Sequence, residues 1–222
     1  MLDKIPVVGK LLRKLKKRFT KDAPFITSEK YWEDRYKRGG NSGAGSYNNL
    51  AEFKAEIINK FVKENQVSSV IELGCGDGNQ LKYFNFKSYI GFDVSSAALS
   101  LCRNLYKNDP SKQFKLVKDY ANEKADLVLS LDVIYHLIEE EVYARYMNTL
   151  FNASNNYVII YSSNEDNHEN NDIAPHVKHR KFTNWVSQNA PQFELVKHIP
   201  NRYTFDGVNE RSSYADFYIF QK

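Results

Sequence analysis

One decapeptide constrains this chain more than any other: Val70-Ile71-Glu72-Leu73-Gly74-Cys75-Gly76-Asp77-Gly78-Asn79. An apolar strand pattern runs into three glycines at alternate positions, and a helical pattern follows. Glycines placed there permit a tight turn and let a ligand lie against the backbone. A glycine triplet alone is weak evidence, because glycines also build plain turns. Here Asp93 closes the next strand-like run, near the offset of about 20 residues expected for a ribose-binding carboxylate.

The rest of the chain agrees with an alternating α/β fold. Val70–Leu73, Tyr89–Phe92, Phe114–Val117, Leu127–Leu131 and Tyr157–Tyr161 read as strands. Ser95–Tyr106 and Glu139–Phe151 read as helices between them, and Leu50–Glu64 as a helix before the first. That alternation predicts a mostly parallel sheet with helices on both faces. Glu194–Ile199 and Ala215–Phe220 are strand-like with no obvious helix between, so an antiparallel pair at the sheet edge is expected. Upstream, Thr27 or Ser28 caps a helix through Tyr31, Trp32, Arg35 and Tyr36, and Gly39–Ser46 is too glycine-rich for regular structure.

Charge is unevenly spread. The 222 residues carry a net charge of +4, yet residues 1–20 hold seven basic side chains and one acid. The body is therefore nearly neutral, which argues against a nucleic-acid partner. Leu2–Phe19 has the spacing of a basic amphipathic helix. Two placements are open for it: an anionic membrane surface or protein partner, or its own domain. No apolar run reaches the roughly 20 residues of a membrane span. The two cysteines have no metal-ligand spacing, and a cytoplasmic location is the expectation; peripheral contact at the inner membrane face through residues 2–19 belongs to the first of the two placements.

The ligand follows from spacing and charge. The glycines read G-x-G-x-G, and Asn79 stands where a dinucleotide fingerprint places its last glycine. Glu72, Asp77, Asp93, Asp119 and Asp132 all fall near strand C-terminal ends. An acidic pocket attracts a sulfonium and an ammonium and repels a pyrophosphate. At this point Glu72–Gly78, Ile90–Ser95 and Asp126–Leu137 together resemble three motifs of the class I methyltransferases that use S-adenosylmethionine (SAM), over about residues 50–160.

The resemblance implies a Rossmann-like, seven-stranded, mostly parallel sheet with an antiparallel last strand, and SAM as cofactor. It divides the chain into an N-terminal helix, residues 1–26, and a methyltransferase domain, 27–222. Within the domain, 27–49 would cover the cofactor and 164–181 would be an insertion on the acceptor side. Implied cofactor contacts are Tyr31, Trp32, Arg35, Glu72, Gly74, Cys75, Gly76, Asp77, Asn79, Gln80, Asp93, Val94, Asp119, Tyr120, Leu131 and Asp132. Among these, Asp93 would take the ribose hydroxyls, Asp119 the adenine amino group, and Arg35 the methionine carboxylate.

His136, on the rim after the fourth strand, is the leading base, with Asp132 beside it; a histidine bonded at a helix start is the plain alternative. His176, His179 and Arg180 form a basic run suited to an anionic acceptor, or else an ordinary solvated loop. A metal site from Asp166, His168, Asp172 and His176 matches no trusted spacing, so no metal is expected. A further, looser resemblance is to bacterial methyltransferases of surface-polysaccharide gene sets. It implies O-methylation of a sugar hydroxyl or phosphate on a glycan or glycolipid. A small-metabolite methyltransferase and a non-catalytic SAM-binding scaffold are the competing readings.

Overall fold

A computed structural model describes residues 25–166, 174–208 and 210–222. The N-terminal amphipathic segment lies outside the described residues, as do His168 and Asp172.

Seven strands form one sheet in the order β3-β2-β1-β4-β5-β7-β6. They are β1 (Ser69–Leu73), β2 (Ser88–Asp93), β3 (Lys112–Leu116), β4 (Ala125–Leu131), β5 (Ser154–Ser162), β6 (Glu194–Ile199) and β7 (Asp216–Gln221). The first five run parallel. β7 inserts between β5 and β6 and is antiparallel to both. The terminal pair is thus at the edge as its patterning predicts.

The helices are α1 (Ser28–Lys37), α2 (Asn48–Glu64), α3 (Ser96–Leu105), α4 (Glu140–Asn152) and α5 (Phe182–Asn189). They cover both sheet faces because the central strands are apolar on both. In β4, Leu127, Leu129 and Leu131 pack with Phe53, Ile58 and Leu99. Val128, one step out of phase, packs with Met147, Leu150 and Phe182. A strand buried on both faces reads as an unbroken apolar run, as this one does.

The region after the glycines departs from expectation. In place of a helix there is a single 3-10 turn, Gln80–Tyr83. The connection to β2 is too short for several helical turns, and it buries Leu81, Phe84 and Phe86 in succession instead.

The strand C-terminal ends open where β1 and β4, adjacent in the sheet, send their chains in opposite directions. Ligands of open α/β sheets bind at such a switch point.

Candidate active site

A cavity of about 800 Å³ lies over those strand ends. Its floor is the turn after β1. Gly74 and Gly76 have φ of 87° and 58°, a left-handed backbone that favours glycine. A Cβ at Gly74 would come 2.4 Å from Val133 Cγ2, and one at Gly76 would come 2.2 Å from Ser42 Oγ. The backbone here forms a cradle that any side chain would fill.

Asp93, at the end of β2, is buried against this turn. Its Oδ2 accepts from the Gly76 N–H and its Oδ1 from the Ser95 N–H, both at 2.9 Å. Burial pushes its carboxyl up to about 6, against the pull of those N–H groups. Glu72, at the end of β1, accepts from the Tyr89 hydroxyl at 2.6 Å. Burial raises it to about 7, opposed by that hydrogen bond and by Lys54.

Ionised Glu72 therefore weakens the ligand-free fold. Its favourable contribution is complete below the ordinary glutamate value and is lost as pH rises through about 7. Glu72→Gln should stabilise the ligand-free chain by about 2 to 3 kcal/mol at pH 8, at roughly 1.4 kcal/mol per pH unit of displacement. At pH 4.5 the two proteins should match. Urea unfolding at both values checks this; an equal gain at both would rule out charge burial as the cause.

Lys54 was not legible as a site residue in the motifs. It lies on α2 with its side chain fully buried, and its Nζ donates to Asp132 Oδ2 at 2.6 Å. The Tyr161 ring lies beneath the ammonium at 5.2 Å. A signal did exist: Leu50, Lys54, Ile58 and Val62 are spaced by four, so the lysine interrupts the apolar stripe of an amphipathic helix. Asp132 sits at φ 59°, and its other oxygen accepts from the Tyr135 hydroxyl at 2.7 Å. Both of its oxygens are engaged.

The covering segment is tied down along its length. Thr27 caps α1 through the Lys30 N–H. Ser28 is held by Glu139 through its N–H and hydroxyl. Glu33 accepts from Ser95 and Ser96 at the start of α3. Asp77 accepts from the Ser42 N–H and the Tyr47 hydroxyl, and the Asn79 amide donates to the Ser46 carbonyl.

Of the residues the sequence points to, Trp32, Glu72, Gly74, Cys75, Gly76, Gln80, Asp93, Val94, Tyr120, Leu131, Asp132 and His136 line the cavity. Tyr31, Arg35, Asp77, Asn79 and Asp119 do not. Asp77 and Asn79 hold the cover in place. Arg35 donates to the Asn41 carbonyl at 2.6 Å and lies over the Trp32 ring, which accounts for its guanidinium outside the cavity. Asp119 is exposed at the end of a 3-10 turn, while Tyr120 beside it packs edge-on against Phe92. The anionic-acceptor trio is also spent elsewhere. Arg180 donates to the Leu137 and Ile138 carbonyls, and His179 is buried against Ser163 at 2.6 Å. His176 stacks on Tyr31. No cluster of three metal-ligating side chains occurs among the described residues.

His136 stands on the cavity wall with Nδ1 at 2.9 Å from the His176 carbonyl. Burial pulls its imidazole down to about 4, so it is neutral at physiological pH. A carbonyl only accepts, so Nδ1 carries the proton and Nε2 keeps its lone pair.

The donor set suits SAM. Asp93 offers carboxylate oxygen beside the glycine cradle. Gln80 Oε1 is buried with no hydrogen-bond partner among the described residues, an acceptor suited to an ammonium, and Lys54 is a cation suited to a carboxylate. Val94, Leu116 and Tyr120 give an apolar wall for a purine.

The family of proteins described as "Methyltransferase domain" matches residues 47–212. No curated protein matches the chain in sequence. Solved structures with the same fold include the methyltransferase domain of bacterial CtHen1-C, 21% identical, with a TM-score of 0.59 over 78% of this chain and 98% of that one. The magnesium protoporphyrin IX methyltransferase of Synechocystis PCC 6803, solved with SAM, is 12% identical, with a TM-score of 0.60 over 90% and 99%. The N-methyltransferase NodS of Bradyrhizobium japonicum WM9, solved with S-adenosylhomocysteine (SAH), is 12% identical, with a TM-score of 0.62 over 86% and 98%. Given a family match across most of its length and a cavity furnished for this cofactor, the chain belongs to the methyltransferase domain family, as a class I SAM-dependent enzyme.

Proposed function

We propose that the chain methylates a hydroxyl oxygen, with a sugar hydroxyl of a glycan or glycolipid as the favoured acceptor. The observation that carries this is His136: a neutral imidazole on the cavity wall whose Nε2 is the unprotonated nitrogen. A hydroxyl must lose a proton as it attacks, and a positioned base takes it. A phosphate acceptor needs no base, and the engagement of Arg180 and His179 within the protein disfavours it. The sugar assignment itself rests on the polysaccharide-branch resemblance.

SAM held here would supply a methyl group on a sulfonium; the C–S bond would break, leaving its electron pair on sulfur, as the C–O bond to the acceptor forms. The chain's part is mainly orientation and exclusion of water. Asp93 takes the ribose hydroxyls. Lys54 faces the methionine carboxylate, the role that the sequence resemblance assigned to Arg35. Asp132 anchors Lys54 through its Oδ2. His136 Nε2 receives the acceptor's proton.

Methyl transfer from radiolabelled SAM to a panel of soluble and lipid-linked sugars, their phosphates and amines tests the reading. Label in a sugar ether is expected. His136→Ala should lower turnover about a hundredfold, the low end of general-base contributions, with SAH affinity unchanged by calorimetry. Label only in amines or phosphates, or full turnover by His136→Ala, would falsify the hydroxyl assignment.

A further inference from the structure

The segment after β5 spends its polar groups on the loop after β4. The His176 carbonyl meets His136 Nδ1 at 2.9 Å. The Lys178 N–H donates to the Tyr135 carbonyl at 2.7 Å. Arg180 donates to the Leu137 carbonyl at 2.7 Å and the Ile138 carbonyl at 3.1 Å. Lys178 and Arg180 both pair with Glu140. Residues 135–138 are thus each gripped by residues 176–180.

A second contact comes from the cofactor side. The Tyr31 ring of α1 stacks on the His176 imidazole, with centroids 4.2 Å apart and planes 12° from parallel. The Tyr31 hydroxyl lies 3.3 Å from His176 Nε2. His176 in turn lies parallel to the His136 ring, 5.5 Å away, and Trp32 meets that ring edge-on at 5.0 Å. The helix that covers the cavity therefore touches the base directly through Trp32 and reaches the residue that holds its Nδ1 through Tyr31.

We propose that Tyr31 and His176 are positioning residues: their stacked rings hold the His176 carbonyl on His136 Nδ1, and so select the tautomer whose Nε2 can accept a proton. This rests on His136 being the base. An imidazole free of that carbonyl could protonate at either nitrogen, and the form protonated on Nε2 presents a donor where an acceptor is needed. Because Tyr31 belongs to α1, the base is set only while α1 is docked. α1 is docked through Glu33 on Ser95, whose own N–H bonds Asp93. Cofactor binding and readiness of the base are thereby joined. During transfer the acceptor's proton goes to Nε2, and the imidazolium keeps its Nδ1–H on the carbonyl. The groups facing His136 are Asp132 and Tyr135 from its own loop, Trp32 and Arg35 from α1, and His176.

The test is a long-range proton–nitrogen spectrum of the full chain carrying nitrogen-15 histidine, saturated with SAH at pH 7.5. The spectrum of His136→Gln assigns the His136 signals. In the unsubstituted protein Nδ1 should carry the proton and Nε2 should show the shift of a bare ring nitrogen. Tyr31→Phe keeps the stacked ring and should keep this pattern. Tyr31→Ala and His176→Ala should move both nitrogens toward averaged values, with SAH binding by calorimetry showing that each is folded. A proton on Nε2 in the unsubstituted protein, or the original pattern in either alanine variant, overturns the proposal. Failure of the base assignment itself reads out separately, as turnover surviving in His136→Ala.

Discussion

Asp93→Ala is expected to abolish useful cofactor binding. The carboxylate would accept from two ribose hydroxyls, and hydrogen bonds to a charged group contribute about 1.5–3 kcal/mol each. Losing both costs about 3–6 kcal/mol, a fall in affinity of roughly 10² to 10⁴. Alanine also strands the Gly76 and Ser95 N–H groups that Asp93 now satisfies, so the glycine turn loses its brace. Asp93→Asn should fall between, because its amide cannot accept both N–H groups. The pH dependence has a defined sign. Asp93 is lifted to about 6 by burial, and the ribose needs the ionised form. SAH affinity should therefore be flat above about pH 7 and fall as pH drops through 6. The contribution of Asp93 to ligand-free stability runs the opposite way: it is complete below the ordinary aspartate value and lost as pH rises through about 6. Calorimetric titration with SAH from pH 5 to 8 measures the first. Undiminished affinity in Asp93→Ala would mean that the ribose lies elsewhere in the cavity.

Lys54→Met is the second large effect. The methionine fills the stem's volume but leaves Asp132 without its cation. Removing one partner of a buried pair costs about 3–5 kcal/mol, because a desolvated charge stays behind. Asp132 retains 13% of its side-chain exposure and keeps the Tyr135 hydrogen bond, so the lower end of that range is expected, as a loss of unfolding free energy in urea. Lys54→Met/Asp132→Asn should recover much of it. Asparagine tolerates the φ of 59° at this position and removes the stranded charge. A double variant no more stable than the single would show that the cost comes from packing. The variant also has a binding readout. The unsubstituted protein should prefer SAH to an analogue lacking the carboxylate, and Lys54→Met should lose that preference.

Much of this molecule could be read from local pattern. The parallel pairing of β1–β5 follows from alternating apolar runs and helices, since parallel neighbours need crossovers; their order in the sheet came from the fold. The G-x-G-x-G turn and Asp93 were visible together because they sit at the ends of two consecutive parallel strands, whose spacing the connection between them constrains. His136 was visible for the same reason. The limits were equally physical. Asp119 follows a strand as Asp93 does, but a 3-10 turn carries it into solvent. Asp77 and Asn79 belong to the motif, yet their polar atoms close on Ser42, Tyr47 and Ser46, partners separated from them by some 30 residues. His179 and Arg180 looked like an anion site because basic residues in a polar stretch carry no sign of what they will bond.

Patterning within a window of residues thus settled the α/β class and the cradle, because turn geometry and strand periodicity are local, and the resemblance of three such windows to family motifs implied the cofactor. Long-range packing settled how charge is spent. Lys54 became a buried partner of Asp132 only when α2 folded over β4. Arg35 was taken out of the cavity by Asn41. The tautomer of His136 was set by a carbonyl 40 residues downstream. A charge or a proton takes its role from whatever the fold brings within about 3 Å of it, and that distance is not written in the order of the residues.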